Sequence, residues 1–403
     1  MTVTKARVVG ERRMVTGDYA AAWGAMVSRP EVIAAYPITP QTMIIEHLAE
    51  FLAAGKLDAE FMRVESEHSA MSAVIAAEAT GVRTYTATSS QGLLLMHELL
   101  HWASGIRAPI VMGVANRAIA PPLSIWTDHS DTIAQRDTGW IQYYAESNQE
   151  VLDTALMAFR LAEHDDVRLP AMITEDAFYL SHTVEPVDVP SQEQADAFLP
   201  PYKARDILRP GEAARLGSYI GPDLYMEFRY KVARAMTRVP GVMAAVEEEY
   251  ERITGRNHGG PLPTYRADDA DAVLITMGTA TTTARSVVDA LRARGEKVAL
   301  AKLRVFRPLP MHELRELART VDRIGVLDRS YTGGLVGAAY SEVAGAMFPA
   351  RERPLLRNFI AGLGGRDITP PMVETMYRRL LDGSDSEVEW IGLKERKEVT
   401  VDG

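Results

Sequence analysis

The feature that most constrains the fold is a regular alternation of short strand-like runs with longer helix-like runs. Up to Asp176 the strand-like runs are VIAAY, AEFMRVE, RTYTATSS, APIVMGVAN, WIQYYAE and LPAMITED. Helix-like runs such as PQTMIIEHLAEFLAAG and NQEVLDTALMAFRLAEH separate them. Consecutive parallel strands need a crossover long enough to hold a helix. The alternation therefore predicts an α/β fold in which helices cover both faces of a parallel sheet.

The same pattern resumes after an interruption, which predicts a second, smaller α/β domain. From about Val184 to Leu224 the chain is rich in proline, as expected of an ordered connector. A long helix is predicted from roughly Tyr225 to Thr254, and RNHGGPLPTYRADDAD is typical of a domain boundary. The predicted regions are a first domain with the connector and long helix at 1–256, a second domain at 268–383, and a C-terminal tail without a clear apolar face at 384–403.

Composition excludes several classes of protein. The chain has 403 residues and a net charge of −10, which argues against general nucleic-acid binding. It has no apolar run of about 18 residues and no apolar segment typical of a secretory signal, so we expect a cytoplasmic protein and no membrane span. The absence of cysteine excludes disulfides, a cysteine nucleophile and thiolate ligation of iron–sulfur clusters by this chain, but not by a partner subunit. Walker and GxGxxG nucleotide loops are also absent.

Four polar segments each follow a predicted strand of the first domain at its carboxyl end. They are YPITP, ESE at Glu65–Glu67, SSQG at Ser89–Gly92 and NR at Asn116–Arg117. Parallel α/β sheets bind their ligands at the carboxyl ends of the strands. We therefore expect these segments to meet at one edge of the sheet and to form a functional site.

The first two segments also have structural interpretations. Thr39 is placed to cap the next helix, with Pro40 in its first turn, and capping does not exclude contact with a substrate. Glu65 lies near a helix start, where a carboxylate interacts favourably with the helix dipole, and we favour that role for it. A catalytic role for Glu67 requires the apolar residues of the following helix to bury the carboxyl group and shift its pKa.

Structural and functional interpretations also have to be weighed for the last two segments. Ser89, Ser90 and Gln91 are placed to cap a helix, and Gly92 allows close approach of the backbone. Arg117 has no such structural explanation, because it follows the apolar strand PIVMGVA. A guanidinium at that position predicts a carboxylate or phosphate partner.

Two groups of residues have metal binding as an alternative. His97 and His101 are four residues apart in a helix-like run and would share a face, as metal ligands do. No acidic residue accompanies them, so we favour a packing or capping role. The segment DHSD, Asp128–Asp131, is a second alternative, but an isolated cluster of this kind more often belongs to a solvated loop. We therefore predict no metal site in this chain.

Several motifs together resemble one known family. YPITPQT, VESEHSAMSAVIAA, TYTATSSQGLLLMHE, ANRAIAPPLSIWTDHSD and QRDTGW occur in this order. They resemble the α subunit of the thiamine-diphosphate-dependent 2-oxoacid:ferredoxin oxidoreductases, in particular the pyruvate synthase and 2-oxoisovalerate group. The resemblance covers nearly the whole chain. It implies a parallel-sheet pyrimidine-binding domain followed by a transketolase C-terminal-like α/β domain, which contains VLITMGT, VFRPLP and GVLDR.

The resemblance implies a reaction and a role for individual residues. A 2-oxoacid, coenzyme A and oxidised ferredoxin would give acyl-CoA, carbon dioxide and reduced ferredoxin. Glu67 matches the glutamate that hydrogen-bonds the aminopyrimidine ring of the cofactor. Thr39 and Arg117 match residues that contact the substrate, Arg117 by pairing with its carboxylate. The residues expected at the cofactor are Tyr36, Pro37, Ile38, Glu67, Ser90, Gln91 and Gly92.

The resemblance also implies partner subunits. A β subunit would bind the cofactor's diphosphate with Mg²⁺, and γ and ferredoxin-like δ subunits would complete the complex, with iron–sulfur clusters in partner subunits only. This chain alone is expected to be inactive. Pyruvate is the favoured substrate, with 2-oxoisovalerate or phenylglyoxylate as alternatives and NAD as an alternative final acceptor. Two other hypotheses are a non-catalytic scaffold subunit and a transketolase-like or decarboxylase enzyme without electron transfer.

Overall fold

A computed structural model of the protein describes residues 10–213, 215–349, 353–383 and 386–394. The strands are β1 Glu11–Val15, β2 Val32–Ala35, β3 Glu60–Arg63, β4 Thr84–Thr88, β5 Val111–Asn116, β6 Ile141–Tyr144, β7 Ala171–Asp176, β8 Glu185–Val189, β9 Thr264–Tyr265, β10 Ala272–Thr276, β11 Val298–Lys302, β12 Val305–Arg307, β13 Arg323–Asp328, β14 Leu355–Ile360 and β15 Val388–Trp390.

The helices follow the same chain order. They are α1 Gly17–Val27, α2 Thr42–Ala53, α3 Glu67–Glu78, α4 Ser90–Leu95, α5 His97–Gly105, α6 Ser130–Ile133, α7 Asn148–Ala162, α8 Gln192–Phe198, α9 Pro222–Met236, α10 Val239–Thr254, α11 Ala280–Ala293, α12 Met311–Thr320, α13 Ala338–Met347 and α14 Pro370–Asp382. None of the described helices is long and apolar enough to cross a membrane.

The described residues divide into two compact units. Unit 1 contains the chain up to Pro263 together with Arg304–Pro310, and unit 2 contains Thr264–Leu303 and the described residues from Met311 onward. The segment Arg304–Pro310 lies inside the second domain predicted from the sequence, but it contains β12, which pairs with β6 of unit 1. The unit to which this segment belongs is therefore determined by its pairing with a strand that is distant in the sequence. A local sequence pattern does not specify such pairing.

The main sheet of unit 1 confirms the predicted parallel α/β architecture. Its strand order is β12-β6-β7-β5-β4-β2-β3, and β12 runs antiparallel to β6 while the other pairs are parallel. Every residue of β4, β5 and β7 is buried. Strands covered on both faces need side chains that tolerate burial on each side, which explains why TYTAT and AMITED do not alternate strictly between polar and apolar residues.

Helices cover both faces of this sheet. On one face α1, α2 and α7 pack against Tyr85 and Val111. On the other face α3, α4 and α5 pack against Met112 and Val114. Because successive residues of a strand point to opposite faces, neighbouring residues such as Val111 and Met112 belong to different cores. This arrangement leaves the carboxyl edge of the sheet for the loops that follow β2, β3, β4 and β5.

Unit 2 has its own parallel sheet and its own core. The strand order is β15-β14-β13-β10-β11-β9, with β9 antiparallel to β11. The core includes Leu274, Val288, Leu300, Phe359 and Leu380. The strand β15 lies within the predicted tail and pairs in parallel with β14. Residues 395–403 of that tail lie outside the described residues.

Two predicted helices are each divided in the structure. The helix predicted from Tyr225 to Thr254 is α9 and α10, with Pro240 in the first turn of α10. Proline cannot donate the backbone hydrogen bond that a continuous helix requires there, but it is well tolerated at a helix start. The second is the helix-like run that contains His97 and His101, QGLLLMHELLHWASG. It forms α4 and α5, which meet at Met96.

Candidate active site

The strand order places the four polar segments at neighbouring positions of one sheet edge. The strands β3, β2, β4 and β5 are consecutive neighbours in the sheet. The loops that follow them contain Glu67, Thr39, Ser90 and Arg117, respectively.

Glu67 is the first residue of α3 and is buried. Ser66 caps the helix by accepting a hydrogen bond from Ser69 N at 3.2 Å. The Glu67 residue is only 7% exposed, and the apolar residues Ala70, Met71 and Val74 of the same helix are fully buried beneath it. The burial required for a catalytic Glu67 is therefore present.

Glu65 differs from Glu67 in its surroundings. It is exposed, and its carboxylate accepts a hydrogen bond from Ser69 Oγ. That hydrogen bond lowers the pKa of Glu65. The arrangement is what the structural interpretation of Glu65 predicted, a surface carboxylate at a helix start.

Gly92 makes room for the Glu67 carboxyl group. A Cβ at residue 92 would lie 2.5 Å from Glu67 Oε1 and 2.5 Å from Thr88 Oγ1. Real Cβ atoms do not approach other atoms this closely, so a larger residue would displace one of these groups. The second and third polar segments are therefore in contact at Glu67 and Gly92. These two residues are 25 positions apart in the sequence.

Several polar atoms at this edge of the sheet lack partners within the described part of the chain. Thr88 Oγ1 and Gln91 Nε2 are buried and form no hydrogen bond there. The Glu67 carboxylate likewise accepts no hydrogen bond from a described residue. A buried polar atom without a partner costs about 1–3 kcal/mol. Donors and an acceptor together at one edge fit a bound group with complementary polar atoms, such as an aminopyrimidine ring.

The loop containing Thr39 is held from two directions. Arg117 Nη1 donates a hydrogen bond to the Thr39 carbonyl at 2.9 Å. Gln41 is fully buried, and its side-chain Oε1 accepts from Ile38 N at 3.4 Å. The predicted capping role of Thr39 is wrong, because α2 begins at Thr42 and has Gln41 at its N-cap, without a side-chain cap. The Thr39 side chain is instead exposed at the sheet edge, as are Tyr36 and Pro37.

Arg117 links the Thr39 loop to the loop that follows β5. Its Nε donates to the Ser124 carbonyl at 3.1 Å, in addition to the bond to Thr39. The residue is 7% exposed, and burial lowers the pKa of its guanidinium. It forms no ion pair with any carboxylate of the described residues. Arg117 thus has a structural role in joining two loops, which the sequence did not predict, and a carboxylate or phosphate partner for its charge stays a prediction.

The serines of the third segment do not cap α4. Ser89 is at the N-cap but makes no side-chain cap bond; its Oγ donates to the Ala115 carbonyl at 2.7 Å. Ser90 has a left-handed backbone with φ of 47°, and its Oγ donates to the Ala118 carbonyl at 2.6 Å. Both hydroxyl groups thus attach α4 to the end of β5, so the predicted capping role is wrong.

The segment Asp128–Asp131 is buried, and its interpretation as a solvated loop is wrong. Asp131 is fully buried, and its Oδ2 accepts from Ser90 N and Arg117 N, both at 3.0 Å. Its Oδ1 accepts from Asn116 Nδ2 at 2.8 Å and from Thr132 N at 2.7 Å. Burial raises the pKa of Asp131 to about 6, although these hydrogen bonds act in the opposite direction.

Sequence reasoning did not select Asp131 as a site residue. The available signal was an acidic segment shortly after the fourth polar segment. Spacing alone does not distinguish a carboxylate that turns inward from one that faces water. His129 is buried as well, and its Nε2 lies 2.8 Å from Asp176 Oδ1 at the end of β7.

The histidines at 97 and 101 pack against each other, in line with the packing role favoured for them. Their rings make an edge-to-face contact with centroids 5.1 Å apart, and His97 Nδ1 lies 2.6 Å from Gln135 Oε1. Within the residues that the structure describes, no group of three or more histidine or acidic side chains is arranged to hold a metal ion.

Comparison with known proteins identifies the family of this chain. Residues 23–248 match the family described as pyruvate flavodoxin/ferredoxin oxidoreductase, thiamine diP-bdg, and residues 270–373 match pyruvate:ferredoxin oxidoreductase core domain II. Pyruvate synthase subunit PorA of Methanothermobacter thermautotrophicus is 48% identical over 386 residues, covering 96% of this chain and 99% of that protein. Ketoisovalerate oxidoreductase subunit VorA of Pyrococcus horikoshii is 48% identical over 389 residues, covering 95% and 98%.

A solved structure shares the fold at lower sequence identity. The 2-oxoglutarate:ferredoxin oxidoreductase from Magnetococcus marinus, with 2-oxoglutarate, coenzyme A and succinyl-CoA bound, superposes with a TM-score of 0.69 at 18% identity. The match covers 92% of this chain and 66% of that longer chain. The profile match over the first unit and the full-length similarity to PorA and VorA establish that this chain belongs to the pyruvate flavodoxin/ferredoxin oxidoreductase family, as a relative of the α subunits of 2-oxoacid:ferredoxin oxidoreductases.

Proposed function

We propose that this chain is the subunit of a 2-oxoacid:ferredoxin oxidoreductase that binds the aminopyrimidine ring of thiamine diphosphate together with the 2-oxoacid. The observation that supports this most strongly is Glu67, a buried carboxylate at the carboxyl edge of the sheet without a hydrogen-bond donor among the described residues. The complex would convert a 2-oxoacid and coenzyme A into acyl-CoA and carbon dioxide and pass the electrons to ferredoxin.

Glu67 would act on the cofactor as a proton acceptor and donor. When bound, thiamine diphosphate supplies a thiazolium carbon that becomes nucleophilic once its proton is removed. Glu67 would hold a proton shared with a ring nitrogen of the aminopyrimidine, which favours the tautomer able to remove that proton. Thr88 Oγ1 and Gln91 Nε2 would bind polar atoms of the same ring, since both are buried without a described partner. Gly92 would keep the carboxyl group in place by leaving room for it.

Arg117 and Thr39 would bind the 2-oxoacid. The guanidinium Nη2 donates to no described atom, whereas Nε and Nη1 are held by the carbonyls of Ser124 and Thr39. A guanidinium fixed in this way presents its remaining N–H groups in one direction, which suits a carboxylate. The exposed Thr39 side chain lies on the loop that Arg117 holds, so its hydroxyl would contact the keto or carboxylate oxygens.

Pyruvate is the proposed substrate, and a branched or aromatic 2-oxoacid is the alternative. PorA and VorA relatives are equally similar to this chain at 48% identity, so overall similarity does not separate the two substrates. The residues beside Ser124 would decide, because Leu123, Ile125 and Trp126 are large, apolar and exposed next to the carbonyl that Arg117 holds. Bulky side chains at this position favour a small acyl group.

The proposed complex contains further subunits and works in the cytoplasm. The relatives are named as subunits, which implies a complex of several chains. A β subunit would hold the diphosphate with Mg²⁺, and γ and ferredoxin-like δ subunits would hold the iron–sulfur clusters. The lack of cysteine in this chain is consistent with clusters in its partners. Tyr36, Pro37 and Ile38 are proposed to line the cofactor from this chain, together with Ser90.

The test is 2-oxoacid-dependent viologen reduction by the complete complex, with coenzyme A and thiamine diphosphate. Glu67→Gln should lower the rate by at least about 100-fold, because general acid–base catalysis contributes on the order of 10²–10⁴. Glu65→Gln is the matched control and should retain the wild-type rate, since Glu65 is exposed and bonded only to Ser69 among the described residues. A panel of 2-oxoacids on the wild type identifies the substrate. A fully active Glu67→Gln complex would refute the proposed role and favour a scaffold subunit.

A further inference from the structure

Asp131 connects two loops that contribute different residues to the proposed site. Its Oδ2 is a shared acceptor for Ser90 N, from the loop after β4, and for Arg117 N, from the end of β5. Both distances are 3.0 Å. The other oxygen, Oδ1, is held by Asn116 Nδ2 and Thr132 N, which fixes the orientation of the carboxylate. Asp131 therefore links the backbone of Ser90 to that of Arg117, in addition to the bonds that the Ser89 and Ser90 hydroxyl groups make to the end of β5.

Asp131 is a fully buried carboxylate, and no cation forms an ion pair with it among the described residues. Burying a carboxylate without a paired cation is unfavourable, even when hydrogen bonds compensate in part. The raised pKa of Asp131 is consistent with that cost. Groups that are costly to bury and lie at an active-site edge are frequently functional.

We propose that Asp131 is a positioning residue for the oxidative decarboxylation, whose carboxylate holds Arg117 and Ser90 at the spacing that substrate and cofactor require. The inference rests on the proposed function of Arg117 as the partner of the 2-oxoacid carboxylate. Asp131 does not touch the substrate. It acts through the backbone of Arg117, while the guanidinium of the same residue binds the Thr39 and Ser124 carbonyls.

Other titratable groups surround Asp131 and have to be considered in a pH experiment. They are Asp128 and His129 on its own segment, Arg117 at the end of β5, Tyr144 on β6, Asp176 on β7, and His97 on α5 through Gln135. The helix α4, which packs against α6, contains no titratable side chain. A variant that removes only the Asp131 charge separates its contribution from those of its neighbours.

Asp131→Asn is a suitable variant because it keeps the volume of the side chain. An asparagine has one acceptor oxygen, so in either orientation its NH₂ group faces two donors, Ser90 N with Arg117 N or Asn116 Nδ2 with Thr132 N. Asp128→Asn is the matched control. Asp128 is buried in the same segment, but the structure gives it one acceptor bond, from Ser130 N at 2.7 Å, which an asparagine oxygen can replace.

The experiment measures KM and kcat for pyruvate with the complete complex, from pH 5 to pH 7.5. At pH 7.5 we expect Asp131→Asn to raise KM about tenfold and to change kcat by less than about threefold, because binding of the carboxylate is affected more than the chemical step. Asp128→Asn should change neither by more than about twofold. The wild-type KM should rise as the pH falls through about 6 and approach that of Asp131→Asn, whose own KM should stay constant over this range.

The outcomes separate this inference from the proposed function. An active wild-type complex with an unchanged KM in Asp131→Asn overturns the inference alone. A wild-type complex that turns over no 2-oxoacid overturns the proposed function and the inference with it. If Asp131→Asn does not assemble, the pH profiles of the wild type and of Asp128→Asn decide together: a wild-type KM that is constant from pH 5 to pH 7.5, or a rise that is lost in Asp128→Asn, overturns the inference, and a rise below about pH 6 that Asp128→Asn retains supports it.

Discussion

Replacing Gly92 with alanine would show whether the position of the Glu67 carboxyl group matters. A Cβ at residue 92 would lie 2.5 Å from Glu67 Oε1, 2.8 Å from Glu67 Cδ and 2.5 Å from Thr88 Oγ1. Ordinary contacts begin at 3.4 Å, so the carboxyl group or its neighbour has to move by roughly 1 Å. The backbone of Gly92 is not left-handed, so alanine adds only this contact and no backbone strain.

The expected loss follows from that displacement. A misplacement of about 1 Å in a preorganised site costs on the order of 100-fold in rate, or about 2.7 kcal/mol of transition-state stabilisation. We expect Gly92→Ala to lose about this factor in 2-oxoacid-dependent viologen reduction and to require more thiamine diphosphate for half-saturation. Its thermal stability should fall only moderately, because overpacking costs about 1–3 kcal/mol and alanine recovers about 1 kcal/mol of helix propensity.

Gly105→Ala is the control for this experiment. Gly105 is the last residue of α5, and a Cβ there would meet no atom within 4 Å. Its activity should equal that of the wild type. A Gly92→Ala complex with the wild-type rate and the wild-type requirement for thiamine diphosphate would refute the argument that Glu67 must occupy this position.

Three further predictions concern the site, the core and the pH dependence of stability. Arg117→Lys keeps the charge but loses the planar group that joins two loops, so steady-state kinetics should show a KM for the 2-oxoacid raised about tenfold or more. Arg83→Met leaves the Glu163 carboxylate, now paired at 2.5 Å, without its partner, and urea titration should show a free energy of unfolding lower by about 3–5 kcal/mol. Burial raises the pKa of Glu175 to about 8, so the folded state binds more protons than the unfolded state between about pH 4.5 and 8, and stability falls as pH rises through that range. Glu175→Gln should therefore reduce the decrease in Tm measured from pH 6 to pH 9.

Each of these predictions has an outcome that contradicts it. An Arg117→Lys complex with the wild-type KM would contradict the argument that substrate binding needs the planar guanidinium that joins the two loops. Arg168→Met is the control for Arg83→Met, because Arg168 pairs at 2.8 Å with an exposed aspartate and should contribute less than about 1 kcal/mol. An equal decrease in the free energy of unfolding of these two variants would contradict the argument that the buried Arg83–Glu163 pair is costly to break. An unchanged pH dependence in Glu175→Gln would show that another group causes it.

The sequence by itself determined the class of fold and the edge of the sheet where the proposed site lies. Strand–helix alternation requires parallel strands, and the carboxyl ends of parallel strands share one edge. Thr39, Glu67, Ser90 and Arg117 could therefore be assigned to a single site from their positions after successive strands. The order of the motifs was also sufficient for the family resemblance that the full-length comparisons confirmed.

Only the tertiary structure decided which partners each residue of that edge has. Ser89 and Thr39 were predicted as helix caps, but Ser89 Oγ donates to a carbonyl of β5, and the Thr39 carbonyl accepts from Arg117 just after β5. Asp131 accepts from a residue 41 positions away, and Arg117 donates to one 78 positions away. Contacts at such separations depend on strand order and side-chain packing, whereas propensity and spacing describe only near neighbours along the chain. For the same reason the segment Asp128–Asp131 had the sequence pattern of a solvated loop. Only the packing of the folded chain shows that its carboxylates are buried.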